Sequence, residues 1–174
     1  MKKIALISDT HSFLGADVVD HLKSVDEIWH AGDIGNPELI EQLSEIKPLR
    51  AVYGNIDGKD LRNNLPLNDI FVCNGVKILM THIGGYPGRY TKRVYGLLKK
   101  EQPDLYICGH SHICKVVRDK QLDILHMNPG ACGIEGFHQF RTMLLFQCSD
   151  GEVSDLQLVE FGRKGEASER YKST

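Results

Sequence analysis

Ile4-Ala5-Leu6-Ile7-Ser8, followed at once by Asp9-Thr10-His11, decides how the chain is read. A short run of apolar or small residues without alternation suits a strand buried on both faces. It is too brief for the apolar segment of a signal peptide or for a membrane span. After Gly15, the stretch Ala16 to Ser24 carries Val18, Val19 and Leu22 among polar residues, which predicts an amphipathic helix. Asp26 to His30 predicts a second strand, ending at Ala31-Gly32-Asp33. Pro37 opens a second helix with an apolar stripe of Leu39, Ile40, Leu43 and Ile46. Leu49 to Tyr53 predicts a third strand, ending at Gly54-Asn55. This β-α-β-α-β opening predicts a parallel sheet with helices packed on it. Ligands of such sheets bind beyond the carboxyl ends of the strands, where Asp9, His11, Asp33 and Asn55 fall.

From about Leu65 the pattern changes. Asp69 to Cys73 and Val76 to Thr81 flank Asn74-Gly75, a strong hairpin signal, and the second strand runs into His82. A loop rich in glycine, tyrosine and proline, Gly84 to Gly88, leads to a helix expected over Arg89 to Lys100. Leu105 to Cys108 predicts a strand ending at Gly109-His110-Ser111-His112. In an extended segment residues i and i+2 share a side, so both imidazoles are expected to lean into one space. Ile113 to Arg118 and Leu122 to Met127 are expected to pair across Asp119-Lys120, with Asn128-Pro129-Gly130 as a turn. Arg141 to Cys148 and Glu152 to Phe161 are expected to pair across Asp150-Gly151. The second half is thus expected to be mainly antiparallel. A single domain over 1–162 accounts for these elements, and the polar tail 163–174 is expected to fray.

The 174 residues, 41% hydrophobic and 25% charged, are those of an ordinary globular domain able to bury a core. A formal charge of −2 gives no general attraction to nucleic acid. Five cysteines, none in a Cys-x-x-Cys pair, are read as reduced core thiols of a cytoplasmic protein.

The donors at the strand ends are Asp9, His11, Asp33, Asn55, His82, His110 and His112. This set is too large for one zinc, which usually takes four ligands in total. It suits two metals about 3.5–4 Å apart, bridged by one carboxylate. Imidazole, carboxylate and amide together favour Mn, Fe, Zn or Co over Ca. Such a pair generates hydroxide at neutral pH and neutralises a phosphoryl group under attack.

Asp9-x-His11, Gly32-Asp33, Gly54-Asn55, His82 and Gly109-His110-x-His112 occur in that order, and on these motifs the chain resembles the calcineurin-like metallophosphoesterases. The likeness is greatest to the small bacterial and archaeal YfcE-like phosphodiesterases and covers about Met1 to Phe161. It implies an α/β fold, a four-layer α/β/β/α sandwich of two mixed sheets. It implies a first metal on Asp9, His11, Asp33 and His112, and a second on Asp33, Asn55, His82 and His110, with Asp33 bridging. Two divalent ions are expected, Mn2+ before Fe, Zn, Co or Ni. The implied reaction is phosphodiester hydrolysis by a metal-bound hydroxide. Many relatives carry a histidine after Gly-Asn, taken to aid the leaving group, but here Ile56 stands there. An isoleucine cannot donate a proton, so activity is expected to favour good leaving groups.

Two further readings share the fold: a non-catalytic interaction scaffold, as the resemblance implies for the retromer subunit, and a nuclease or nucleotide phosphohydrolase. A small phosphate ester is the expected partner, ahead of nucleic acid or membrane, and a homodimer is compatible with the chain. Arg89 and Tyr86 are candidate substrate contacts, weighed against a packed helix start. His30 is a candidate outer partner of the ligands or a core histidine. His126 is read as a strand-end structural residue, His21 as solvated and His138 as a loop residue. Lys92, Arg93, Lys99 and Lys100 read as a solvated helix face. Cys108 and Cys114 bracket the His-Ser-His turn without being needed as ligands.

Overall fold

The computed structural model describes residues 1–172. The chain begins with strand β1 (Lys2–Ile7), helix α1 (Ala16–Lys23), strand β2 (Glu27–His30), helix α2 (Pro37–Ile46) and strand β3 (Leu49–Ala51). A short helix α3 (Lys59–Asn64), which no apolar period announces, precedes the hairpin of β4 (Asn68–Cys73) and β5 (Val76–Thr81). Helix α4 (Lys92–Glu101), β6 (Leu105–Ile107), β7 (Cys114–Asp119), β8 (Ile124–Pro129), β9 (Phe140–Ser149) and β10 (Glu152–Arg163) follow.

Two five-stranded sheets result, ordered β10-β9-β1-β2-β3 and β4-β5-β6-β8-β7. In the first, β1, β2 and β3 are parallel, and the β9–β10 hairpin adds antiparallel to β1. Alternation along β1 explains the layering. Ala5 and Ile7 join a core with Val18, Leu22 and Leu39 of α1 and α2. Ile4 and Leu6 face the other way, onto Ile78, Met80 and Ile107 of the second sheet. On that sheet's far side Leu79 and Tyr106 meet Val94 and Leu98 of α4. The order is therefore helix, sheet, sheet, helix, a four-layer α/β/β/α sandwich.

The second half is mainly antiparallel, as expected, with β4–β5, β7–β8 and β9–β10 as hairpins, and the exception is the centre of the second sheet. There β6 lies parallel to both β5 and β8. The α4 crossover returns the chain to the same end of the sheet, which imposes parallel pairing of β5 and β6. Strand β7 then passes to the edge, and β8 comes back between it and β6. Helix α4 starts later than Arg89 because the Thr91 hydroxyl accepts the Val94 N–H and caps it. Pro129 is the last residue of β8, opposite Cys114, so the turn begins at Gly130 instead of Asn128.

Most of the tail expected to fray is tied down. Glu169 O accepts from Ala16 N–H at 2.9 Å, Leu14 O accepts from Tyr171 N–H at 2.8 Å, and Tyr171 packs on the α1–α2 core. The last part of that expectation, residues 173–174, lies outside the described residues. Beneath this seam, fully buried Arg141 forks onto Asp17 of α1 at 2.8 and 3.1 Å. No helix among the described residues is long and apolar enough to cross a membrane.

Candidate metal centre

Every strand that meets the site ends just short of it. Asp9 and His11 follow β1, Asp33 follows β2, Asn55 follows β3, His82 follows β5, and His110 and His112 follow β6. Five of these residues are left-handed: Asp9, His11, Asp33, His110 and His112, at φ 53, 47, 54, 68 and 57°. Such backbone costs about 1–3 kcal/mol per residue and survives only where the surroundings fix it. Here they do. Asp9 N–H donates to Gly32 O, His11 N–H to Asp33 O, and His110 N–H to Asp9 Oδ2, all at 3.0–3.1 Å. Glycine is required at two crossings: a Cβ on Gly54 would sit 2.0 Å from Asp33 Oδ1, and one on Gly109 2.1 Å from Ser8 Oγ.

The donors gather into two adjoining groups, Asp9 with His11 and His112, and Asp33 with His82 and His110. Within each group the ligand atoms lie within 4.8 Å of one another. His110 and His112 do fall in adjoining groups of one centre, but not through strand alternation. Both lie in a left-handed turn beyond β6, which sends them to different groups. Asp33 joins the groups: its Oδ2 is 3.7 Å from His11 Nε2 and its Oδ1 is 3.2 Å from His82 Nε2. Asp9 Oδ1 is 3.1 Å from His112 Nε2 and 3.9 Å from His82 Nε2. Asn55 borders the same opening as His82, with an exposed side chain.

Hydrogen bonds behind the site settle which imidazole nitrogen faces it. Ala31 O lies 2.8 Å from His82 Nδ1, so that nitrogen donates there and Nε2 is the one that faces the site. Gly133 O lies 2.9 Å from His138 Nε2, which must donate. Neutral His138 then accepts at Nδ1 from His112 Nδ1, 3.1 Å away, leaving His112 Nε2 with a free lone pair toward Asp9. His30 is fully buried, and burial holds its pKa down at about 4, so it is neutral. Its Nδ1 accepts from Gly32 N–H at 3.1 Å, so its Nε2 donates to the Thr10 hydroxyl at 2.8 Å. His30 thus braces the turns carrying Asp9 and Asp33 and, among the described residues, hydrogen-bonds to no ligand side chain.

The electrostatics match. Burial alone would raise the Asp33 carboxyl, but the neighbouring His82 outweighs it and holds it below the usual range. Burial also opposes the charged form of His82, yet Asp33 and Asp9 outweigh it and raise that imidazole. Asp9 Oδ1, His11 Nε2 and His82 Nε2 are buried without any hydrogen-bond partner. Buried polar atoms are rarely left so, and three on one spot fit a cation. Oxygen and imidazole donors without thiolate suit a divalent transition metal.

Two residues of the site escaped the sequence reading. His138 does lie in a loop, but its contact with His112 joins distant segments that carry no shared motif. Asp57 accepts from Gly54 N–H at 2.6 Å and Gly35 N–H at 2.8 Å, pinning the turn before Asn55. An aspartate three residues after a glycine at a strand end was the available signal. Ile56 offers only its backbone, whose N–H donates to Asp33 Oδ1 at 3.1 Å, and its side chain is 44% exposed.

Two clefts flank the centre. One of about 370 Å³ opens beside Asn55 and His82, and one of about 210 Å³ beside His110. Tyr86 lines the second, under Lys115 Nζ at 3.9 Å from its ring; Arg89 is exposed and lines neither. His126 is buried against Tyr106 at the back of the second cleft. His21 is half-buried against Phe161 and not freely solvated.

Residues 1–151 match the calcineurin-like phosphoesterase superfamily domain. A probable metallophosphoesterase of Methanothermobacter thermautotrophicus is 28% identical over 164 residues, 91% of this chain and 92% of the relative. Another, of Methanocaldococcus jannaschii, is 35% identical over 134 residues, 74% of this chain and 67% of that protein. The crystal structure of Vps29 from Chaetomium thermophilum superposes with a TM-score of 0.72 at 15% identity, over 94% of this chain and all of that one. The layered sheets, the ordered strand-end donors and a match spanning most of the sequence lead to one conclusion: the chain belongs to the calcineurin-like phosphoesterase superfamily.

Proposed function

We propose that the protein is a two-metal phosphodiesterase that favours esters with good leaving groups. The observation that carries this reading is two adjoining donor groups, with Asp33 of one reaching to 3.7 Å from His11 of the other, and three buried polar atoms lacking any partner. Asp9, His11, Asp33 and His112 would hold one ion, and Asp33, Asn55, His82 and His110 the other. Two such ions supply an ionised water near neutral pH and neutralise charge on the phosphoryl oxygens.

The chain's own residues do the rest. Ala31 O and the His138 relay turn His82 Nε2 and His112 Nε2 inward. The buried turns of Asp9 and Asp33 hold the donors before any ion arrives, so little reorganisation is needed. Exposed Ile56 gives the departing oxygen no proton, so an aryloxide leaves more readily than an alkoxide. Asn55 contributes a neutral oxygen and keeps the site positive toward an anionic substrate.

A scaffold role on the same fold is the weaker reading, because every expected ligand position is filled by a competent donor. Metal content measured after reconstitution with Mn2+, together with rates on bis(p-nitrophenyl) phosphate and an alkyl monoester, tests the proposal. Two ions per chain and faster diester hydrolysis are expected. A single ion, or a faster alkyl monoester, would overturn it.

A further inference from the structure

The 370 Å³ cleft is lined by Tyr53, Arg62, Leu67, Ile83, Thr91 and Arg93 where it adjoins Gly54, Asn55 and His82. Its two guanidinium groups are not neutralised by a carboxylate among the described residues. Arg50, Arg118 and Arg141 each have a carboxylate within ion-pair range. Among the described residues, Arg62 and Arg93 have none. Arg62 donates to Asp57 O at 2.6 Å, Asn55 O at 2.9 Å and Gly54 O at 3.3 Å. Arg93 donates to Ile83 O at 2.8 Å, Thr81 Oγ1 at 3.1 Å and Asn68 Oδ1. All six acceptors are neutral, so both positive charges remain uncompensated. The same bonds hold the guanidinium planes still, which lowers the ordering cost of binding an anion. Arg62 Nη1 and Arg93 Nε have no protein acceptor among the described residues. Leu67 and Ile83 stay 41% and 38% exposed between them.

We infer that this cleft holds a second anionic group of the substrate, a phosphate or a carboxylate, joined by a short apolar spacer to the scissile phosphodiester. The inference rests on the phosphodiesterase reading and names its substrate class. Guanidinium recognises either anion through paired N–H donors. The cleft beside His110 offers no such pair, since Lys115 is the one lysine or arginine that lines it.

Three p-nitrophenyl phosphodiesters that differ only in the retained group (ethyl, 2-carboxyethyl or 2-phosphoethyl) test it on the Mn2+-loaded protein. The two anion-bearing esters should show KM about tenfold below the ethyl ester at similar kcat, as one charge-assisted hydrogen bond would give. Arg93→Gln should erase that difference, and Arg93→Lys should restore part of it. The better of the two anions identifies the class as bisphosphate or carboxylate. Equal KM for all three esters would overturn the inference. So would an equal loss on all three in Arg93→Gln, because Arg93 would then only brace the strand end before His82. A calorimetric arm needs no turnover: chelator-treated protein should bind methylphosphonate about tenfold more tightly than its Arg93→Gln variant does. Equal affinities there would also overturn it. If no ester is hydrolysed yet calorimetry discriminates, the hydrolase reading fails and the anion site stands.

Discussion

His138 Nδ1 lies 3.1 Å from His112 Nδ1, although a β-hairpin separates the two residues in sequence. The contact fixes the tautomer of a donor that His138 itself never joins. Outer partners of metal-bound histidines are worth about 10–100-fold in metal affinity. His138→Ala should therefore weaken the tighter-bound Mn2+ or the second one by about tenfold, read by competition with a fluorescent chelator. Unchanged affinity for both ions would mean the relay is only packing.

Asp33 offers one oxygen to each donor group. Asp33→Ala should abolish turnover and reduce bound metal from two ions toward one, measured by elemental analysis after gel filtration. Substantial activity in that variant contradicts the bridging assignment.

Ile56 occupies the lip of the centre with its side chain exposed. Ile56→His would place a proton donor beside the departing oxygen. Hydrolysis of alkyl monoesters should rise by about 10²-fold, with aryl diesters changed far less. A uniform change across both classes would show that proton delivery is not what position 56 limits.

His126 is buried beside Tyr106, and burial lowers its pKa to about 4 from 6.5. The unfolded chain therefore binds the extra proton between those values. The stability that neutral His126 provides is complete above pH 6.5 and is lost as pH falls toward 4. About 2 kcal/mol of it should be gone by pH 5. Urea midpoints of the metal-free protein at pH 7 and pH 5 should differ less in His126→Phe than in the wild type. An identical pH response in the two proteins would refute the linkage.

Arg141 is fully buried and Asp17 is its carboxylate partner. Asp17→Asn would strand that charge. Unfolding in urea should show a loss of about 2–3 kcal/mol, the lower side of the cost of breaking a buried pair, because Asp17 keeps some contact with water.

Much of the fold was legible because it rests on local patterns. The unbroken run Ile4–Ile7, the stripe Leu39–Leu43 and the Asn74-Gly75 turn each state their structure within a few residues. The central second sheet was not legible, since β6 takes its direction from the α4 crossover and from the return of β8. Proximity in sequence also misled at His110 and His112, where left-handed backbone replaces the expected pleat.

The sequence by itself determined the donor types, their order at the strand ends and the layered class of the fold, because side-chain chemistry and hydrophobic period are local properties. Tertiary structure alone decided which histidine joins which carboxylate, which nitrogen faces inward and which two arginines line the cleft beside the site. Those depend on contacts between segments such as His112 with His138 and Arg62 with Asn55, which form only when separate turns are packed against one another.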